Sequence, residues 1–396
     1  LRDGKLYEPG EILKQPELAR TLRRIAEDGP DAFYRGAVAR AIVATMQKYG
    51  GLITLGDLEQ YQARLRAPLE GHFRGFAILT VPPPSSGGVG LLEMLNVLEP
   101  LDLGAPDSYA SIHLMAETMR RAYADRAAYL GDADFVSVPV AALTSATYAA
   151  KLRAEILQAN PEAPVRAGLP MGWTEGSQTT HYSVVDAEGN AVANTYTLNG
   201  GYGSGVTVAG AGFLLNDEMD DFAARPGAPN MFGLVQGEAN AIQPRKRPLS
   251  SMTPTIVLRD PELAPPLGAQ PAMALSEAKA APLPSRLPIP VLVLGSPGGG
   301  TIINTVLEVL LNVLVFRMDV REAVTAPRFH HQWMPDELLL EDWGFSADTL
   351  ERLKGAGYKL SVRGKIGECQ AIAVDPKTGW RFGAADPRGD GKAVGY

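Results

Sequence analysis

Residues 159–178 divide the chain into two stretches of different character, and that division narrows the folds open to it. Asn160, Pro161, Pro164, Gly168, Pro170, Gly172, Gly176 and Ser177 crowd this segment. A stretch so rich in turn residues builds no core and reads as an exposed connection, where chain nicks concentrate. Before it the chain is mainly helical. Leu18, Leu22 and Ile25 recur at helical spacing up to Gly29, and Phe33, Val38, Ile42 and Met46 up to Gly50-Gly51. Thr54 followed by Asp57 has the pattern of a helix cap. Residues 82–88, Pro-Pro-Pro-Ser-Ser-Gly-Gly, form a rigid turn into a helix through Leu92, Leu95 and Leu98. Ile112, Met115, Met119 and Tyr123 stripe a further helix. These stripes are read as core-packing faces.

After the break the pattern changes to strands. His181 to Val185 and Ala191 to Leu198 are β-like, separated by the turn residues Asp186 to Asn190. Thr255 to Leu258, Val291 to Leu294 and Ala371 to Val374 read as further strands, and Gly298-Gly299-Gly300 opens a helix to about Phe316. Residues 261–290 carry eight prolines, which surrender sheet hydrogen bonds and make this a protruding loop. Helices followed by a strand-rich half predict a sheet-based α/β fold with helices on its faces.

The hairpin around 186–190 has a calculable register. If its loop is symmetric, Val185 faces Ala191, His181 faces Thr195, and Thr179 faces Thr197. Thr179, His181, Thr195, Thr197 and Asn199 then share one face, with the two threonine hydroxyls within touching range. Threonine pairs are also ordinary sheet neighbours, so the register alone assigns no chemistry.

Composition excludes several functions. The net charge is −7 over 396 residues, and the densest basic cluster is Arg245-Lys246-Arg247, so nothing marks a nucleic-acid binder. The single cysteine, Cys369, permits no intrachain disulfide and cannot supply the several thiolates of a cysteine-based metal site. His330-His331 is a poor chelate, because adjacent residues diverge on a strand and share no helix face. No stretch is long and apolar enough to span a bilayer; residues 301–316 contain Asn304, Glu308 and Asn312. No leader peptide is visible. Asp217 to Asp221 lacks EF-hand spacing and stays open between a solvated acidic turn and a site for a cation. Gly298-Gly299 reads as a tight turn; a phosphate loop lacks the required Gly-Lys-Ser/Thr.

Several motifs run in a set order. They are Gln178-Thr179-Thr180-His181-Tyr182-Ser183-Val184-Val185-Asp186, Asn194-Thr195-Tyr196-Thr197-Leu198-Asn199, and Leu215-Asn216-Asp217-Glu218-Met219-Asp220-Asp221-Phe222. Lys246 to Thr255, Gly295-Ser296-Pro297-Gly298-Gly299, Ala326 to Trp333 and Asp386-Pro387-Arg388 follow. Together with the Pro-Pro-Pro-Ser-Ser-Gly-Gly run, this series resembles the γ-glutamyltransferase (glutathione hydrolase) family over nearly the whole chain except the Pro-rich insert.

The resemblance implies an N-terminal-nucleophile αββα sandwich, one domain made of two autoprocessed subunits. Residues 1–178 would be the C-terminal part of the large subunit and 179–396 the small, catalytic one, with the insert at about 261–290. The precursor would cut itself between Gln178 and Thr179. The freed α-amine, with an ordinary pKa of about 7.7–8.0, would serve as base for its own hydroxyl. By the same resemblance Thr197 would bond the Thr179 hydroxyl, and Gly298 and Gly299 would supply oxyanion-hole N–H groups. Asn199, Glu218 and Asp221 would take the donor α-ammonium, and Ser250 and Ser251 its α-carboxylate. Residues 222–235 resemble a loop that lids the site. No cofactor or metal is implied. The partners would be glutathione or other γ-glutamyl amides and a water, amino-acid or peptide acceptor, in a periplasmic or secreted setting.

Two departures stand out. The N-terminal part of the family's large subunit has no counterpart here, including an arginine that pairs with the donor carboxylate, and that role falls to no residue by motif. The 261–290 insert is the second. Alternatives are an acylase or poly-γ-glutamate hydrolase on the same scaffold, or an inactive remnant acting as a scaffold.

Overall fold

A computed structural model describes residues 5–158, 161, 164–165, 179–259 and 289–395. The chain divides into two compact units, Leu1–Arg66 with Tyr202–Asp217, and Ala67–Gly201 with Glu218–Tyr396.

The smaller unit is helical: Pro16–Asp28, Asp31–Tyr34, Ala37–Tyr49 and Leu55–Gln60. Val38, Ile42 and Met46 pack on Val208 and Ala211. Thr54 and Asp57 form a reciprocal capping box, Asp57 N–H donating to Thr54 Oγ1 at 3.2 Å and Thr54 N–H to Asp57 Oδ2 at 2.8 Å. The first helix corrects the reading of its stripe. Leu22 is 57% exposed, whereas Thr21 is buried and donates to the Ala211 carbonyl at 2.8 Å. The contact is set by close backbone approach, since a Cβ on Gly212 would lie 2.5 Å from the Leu18 nitrogen.

The larger unit is layered. Its six-stranded sheet has the order β1 (Leu69–Phe73), β2 (Phe76–Thr80), β5 (Thr255–Arg259), β6 (Ile289–Gly295), β10 (Gln370–Val374), β11 (Arg381–Ala385), every neighbouring pair antiparallel. The β1–β2 hairpin lies in the half read as mainly helical. Arg259 pairs with Ile289, so the Pro-rich insert joins two adjacent strands; its residues 260–288 lie outside the described residues. Helices Gly87–Leu98, Tyr109–Tyr129 and Ile302–Leu314 share one core with this sheet through Leu91, Leu95, Met119, Leu292, Leu294, Val306 and Leu310. A two-stranded sheet, β3 (Thr180–Val185) with β4 (Ala191–Tyr196), packs against β6 and β10. A third sheet joins β7 (Phe329–His330), β8 (Leu338–Glu341) and β9 (Leu360–Arg363).

Two late motifs prove to be structural. Arg328 donates to Asp386 Oδ2 at 2.5 Å, and Arg388 bonds both Glu341 and Asp386, all four residues being buried. His330 Nδ1 meets the Asn304 amide at 2.8 Å and its Nε2 meets Gln332 Oε1 at 2.9 Å, while His331 lies 3.3 Å from Asp336. Both rings are thus occupied by protein partners.

Candidate active site

The β3–β4 register is the calculated one, with Val185 opposite Ala191 and His181 opposite Thr195. The turn is closed by Asp186: its carboxylate accepts the Asn190 backbone N–H at 2.8 Å and side-chain amide at 2.7 Å. At the open end the Thr179 hydroxyl donates to Thr197 Oγ1 at 3.3 Å. That is longer than an ordinary O–H···O bond, so the pair is close but loose. Thr197 Oγ1 also accepts the Asn199 N–H at 2.8 Å. Asn199 adopts φ 72°, a left-handed conformation that asparagine tolerates better than most residues. Its buried amide reaches Met231 Sδ at 3.4 Å.

His181 anchors the shared face. Nδ1 meets Thr195 Oγ1 at 2.8 Å and Nε2 meets Ser183 Oγ at 3.1 Å. Burial lowers its pKa to about 4, so the ring is neutral near pH 7. It rests on the end of β6, where a Cβ on Gly295 would lie 2.2 Å from His181 Cε1. β6 then runs into Gly298 and Gly299, at φ 137° and 53°. Side chains there would strike Thr301 Oγ1 at 2.4 Å and the Phe232 ring at 2.6 Å. Thr301 Oγ1 caps the Gly298 carbonyl at 2.8 Å. Among the described residues neither glycine N–H donates to a protein acceptor, which leaves both available to a developing oxyanion.

The acidic segment folds as a 3₁₀ turn, Glu218–Asp221. Asp220, to which sequence assigned no role, holds the Met231 N–H at 3.0 Å. The Asp221 carbonyl is bound by Gln236 at 3.0 Å and Asn240 at 2.6 Å. The second half of segment 222–235 turns inward: Phe232, Leu234 and Val235 are buried, and Gln332 donates to the Phe232 carbonyl at 3.1 Å.

Ser250 and Ser251 are held by the 82–88 turn. Ser250 N–H donates to the Pro84 carbonyl at 2.9 Å, and Ser86 N–H returns a bond to the Ser250 carbonyl at 2.8 Å. Gly87 allows this approach; a Cβ there would meet Thr253 Oγ1 at 2.3 Å. Beneath them lies Arg126, bonded to Ser86 and Ser251, which sequence reading passed over. The missed signal was periodic: Arg126 continues the stripe Ile112, Met115, Met119, Tyr123 by one further step, placing a cation on a core-facing helix side. Gln178 lies outside the described residues.

The γ-glutamyltranspeptidase family model matches residues 1–281 and 285–396. The glutathione hydrolase proenzyme of Escherichia coli K12 is 45% identical over 403 residues, covering 100% of this chain and 64% of that protein. The acylase ACY 1 proenzyme of Pseudomonas sp. SE83 is 35% identical, covering 100% of this chain and 63% of its own length. This chain therefore spans about two-thirds of the length of such relatives, 64% for the E. coli protein. Among solved structures, the cephalosporin acylase from Bacillus halodurans superposes with TM-score 0.81 at 26% identity, over 100% of this chain and 65% of that one. Motif order, hairpin register and these similarities converge: this N-terminal-nucleophile-type chain belongs to the γ-glutamyltranspeptidase family.

Proposed function

We propose that this chain is the catalytic portion of a γ-glutamyltransferase that cleaves itself between Gln178 and Thr179 and then transfers the γ-glutamyl group of glutathione or a related amide to water or an amino-acid acceptor. The observation that carries the reading is the Thr179–Thr197 hydroxyl pair at 3.3 Å, at the open end of a hairpin in its calculated register. In the uncut chain Thr179 has no amine. Attack of its hydroxyl on the Gln178 carbonyl forms an ester and releases the α-amino group. Hydrolysis of the ester frees the hydroxyl, which that amine then serves as base.

In turnover, the Thr179 oxygen attacks the donor's γ-carbonyl, and its proton passes to the α-amine and on to the leaving amine. Gly298 and Gly299 N–H groups stabilise the oxyanion. Asn199, Glu218 and Asp221 hold the donor ammonium, and Ser250 and Ser251 the carboxylate. The E. coli relative is named a proenzyme, in keeping with one precursor yielding large and small subunits. A periplasmic or secreted location follows by the same analogy; among the described residues no helix is long and apolar enough to cross a membrane.

Two experiments test this. Intact mass of purified protein should resolve two chains divided at 178/179, about 19 and 23 kDa in proportion to the 42.2-kDa whole. A γ-glutamyl anilide should be turned over, and Thr179→Ala should give a single uncut, inactive chain. A folded wild-type protein that stays uncut overturns the reading. The acylase likeness supports a second reading, removal of a glutaryl group. The acidic pair Glu218 and Asp221 favours a donor with an α-ammonium; faster turnover of a glutaryl than of a γ-glutamyl anilide would reverse that preference.

A further inference from the structure

We propose that Arg126 is a positioning residue of the donor-carboxylate subsite: it sets Ser251 as a hydroxyl donor and, through Ser86, fixes Ser250. The proposal rests on the γ-glutamyl reading and deepens it, since that reading named Ser250 and Ser251 for the carboxylate without saying what holds them.

The hydrogen-bond directions carry the inference. A guanidinium is a donor only, so whatever it bonds must accept. Arg126 Nη2 lies 3.1 Å from Ser251 Oγ. Ser251 Oγ accepts there, and its own O–H remains to be given elsewhere; among the described residues it donates to no protein group. Arg126 Nε lies 2.9 Å from Ser86 Oγ. Ser86 passes its proton to the Ser250 carbonyl at 2.7 Å. The Ser250 hydroxyl oxygen accepts the Met252 N–H at 3.1 Å, which likewise leaves its O–H to donate. One buried side chain therefore orients the Ser251 hydroxyl and, through Ser86, holds the Ser250 backbone, and a carboxylate, which only accepts, is the complement of the two serine hydroxyls.

The charge adds to this. Arg126 is 3% exposed, and among the described residues its side chain bonds two neutral hydroxyls. A cation bonded to a hydroxyl oxygen polarises that O–H and strengthens its bond to the next acceptor. Burial works against the guanidinium charge, while Tyr123 and then Asp221, on the ammonium side of the proposed donor site, support it. An arriving α-carboxylate gains from the same positive field, in a setting where charge-assisted bonds outweigh neutral ones.

The test compares two donors, a γ-glutamyl anilide and the same anilide with its α-carboxylate converted to carboxamide. Wild type should prefer the carboxylate form. Arg126→Gln should raise KM for the carboxylate donor roughly 10- to 100-fold with kcat held within about 3-fold, while KM for the carboxamide donor moves less than about 3-fold. Arg126→Lys, which keeps the charge, should recover part of the preference. Ser86→Ala should lower it in the same direction by a smaller factor. An equal loss on both donors in soluble, processed Arg126→Gln, or an undiminished preference, overturns the proposal. If Arg126→Gln does not fold, Arg126→Lys and Ser86→Ala decide, and an unchanged preference in both overturns it. Wild type that turns over neither donor sinks the γ-glutamyl reading itself, a result separable from any of these.

Discussion

At Thr197 one oxygen carries two bonds, from the Thr179 hydroxyl and from the Asn199 N–H. Replacing it by valine keeps the strand shape and removes both acceptor and donor. Thr197→Val should slow chain cleavage and turnover roughly 10- to 100-fold, and Thr197→Ser should restore most of the rate. Timed gel analysis of cleavage and anilide kinetics would check this; full activity in Thr197→Val would remove Thr197 from the mechanism. At Gly295 the constraint is steric, because an added Cβ meets the His181 ring. Gly295→Ala should cost about 1–3 kcal/mol by denaturant unfolding, with the His181 ring displaced. The threonine pair was legible in sequence because a turn with defined ends fixes a register by counting. Arg126 was not assigned, because its partners Ser86 and Ser251 are each dozens of residues away, and only the assembled fold joins them.

Among elements, buried titratable groups respond to pH in opposite senses. His181 on β3 and His330 on β7 are buried, with pKa values lowered to about 4. The unfolded chain binds their protons from pH 6.5 downward while the folded chain does not, so their contribution is present above 6.5 and is lost as pH falls toward 4. Glu308, inside the helix Ile302–Leu314, is the reverse case. Burial raises its pKa well above 4.5, although the Phe329 N–H bonds it at 3.1 Å and Arg328 lies near. Its contribution is full below 4.5 and is lost as pH rises through the folded value. Glu308→Gln keeps an oxygen for Phe329 and has no proton to lose. The variant should therefore match wild type in Tm at pH 5 and exceed it at pH 9, by scanning calorimetry. A parallel fall of both proteins with pH would show that Glu308 carries no such load. Sequence displayed this glutamate only as an interruption in an apolar run. Its protonation state depends first on burial and then on Phe329 and Arg328, which helical periodicity does not reveal.

Across the whole molecule, local pattern located most helices, the sheet strands near the site and the hairpin. It missed β1 and β2 within the half read as mainly helical, and it misjudged the first helix, whose Leu22 is exposed while Thr21 is buried. Both misses concern long-range contacts: β2 is recruited by β5, and the helix by the backbone at Ala211 and Gly212. The Arg328–Asp386–Arg388–Glu341 network is another such contact, tying Asp386 and Arg388 to the third sheet with all four side chains buried. A buried ion pair contributes little net over a well-packed apolar pair, but losing one partner strands the other in a low dielectric. Arg388→Met should thus destabilise by about 3–5 kcal/mol, and Arg388→Met with Glu341→Leu by clearly less than the two single costs added. The coupling should hold at 1 M salt, where the screening length is about 3 Å and exposed pairs fade. Additive losses in the double variant would mean that the four charges act separately, and that the motif Asp386-Pro387-Arg388 serves some end other than closing the core.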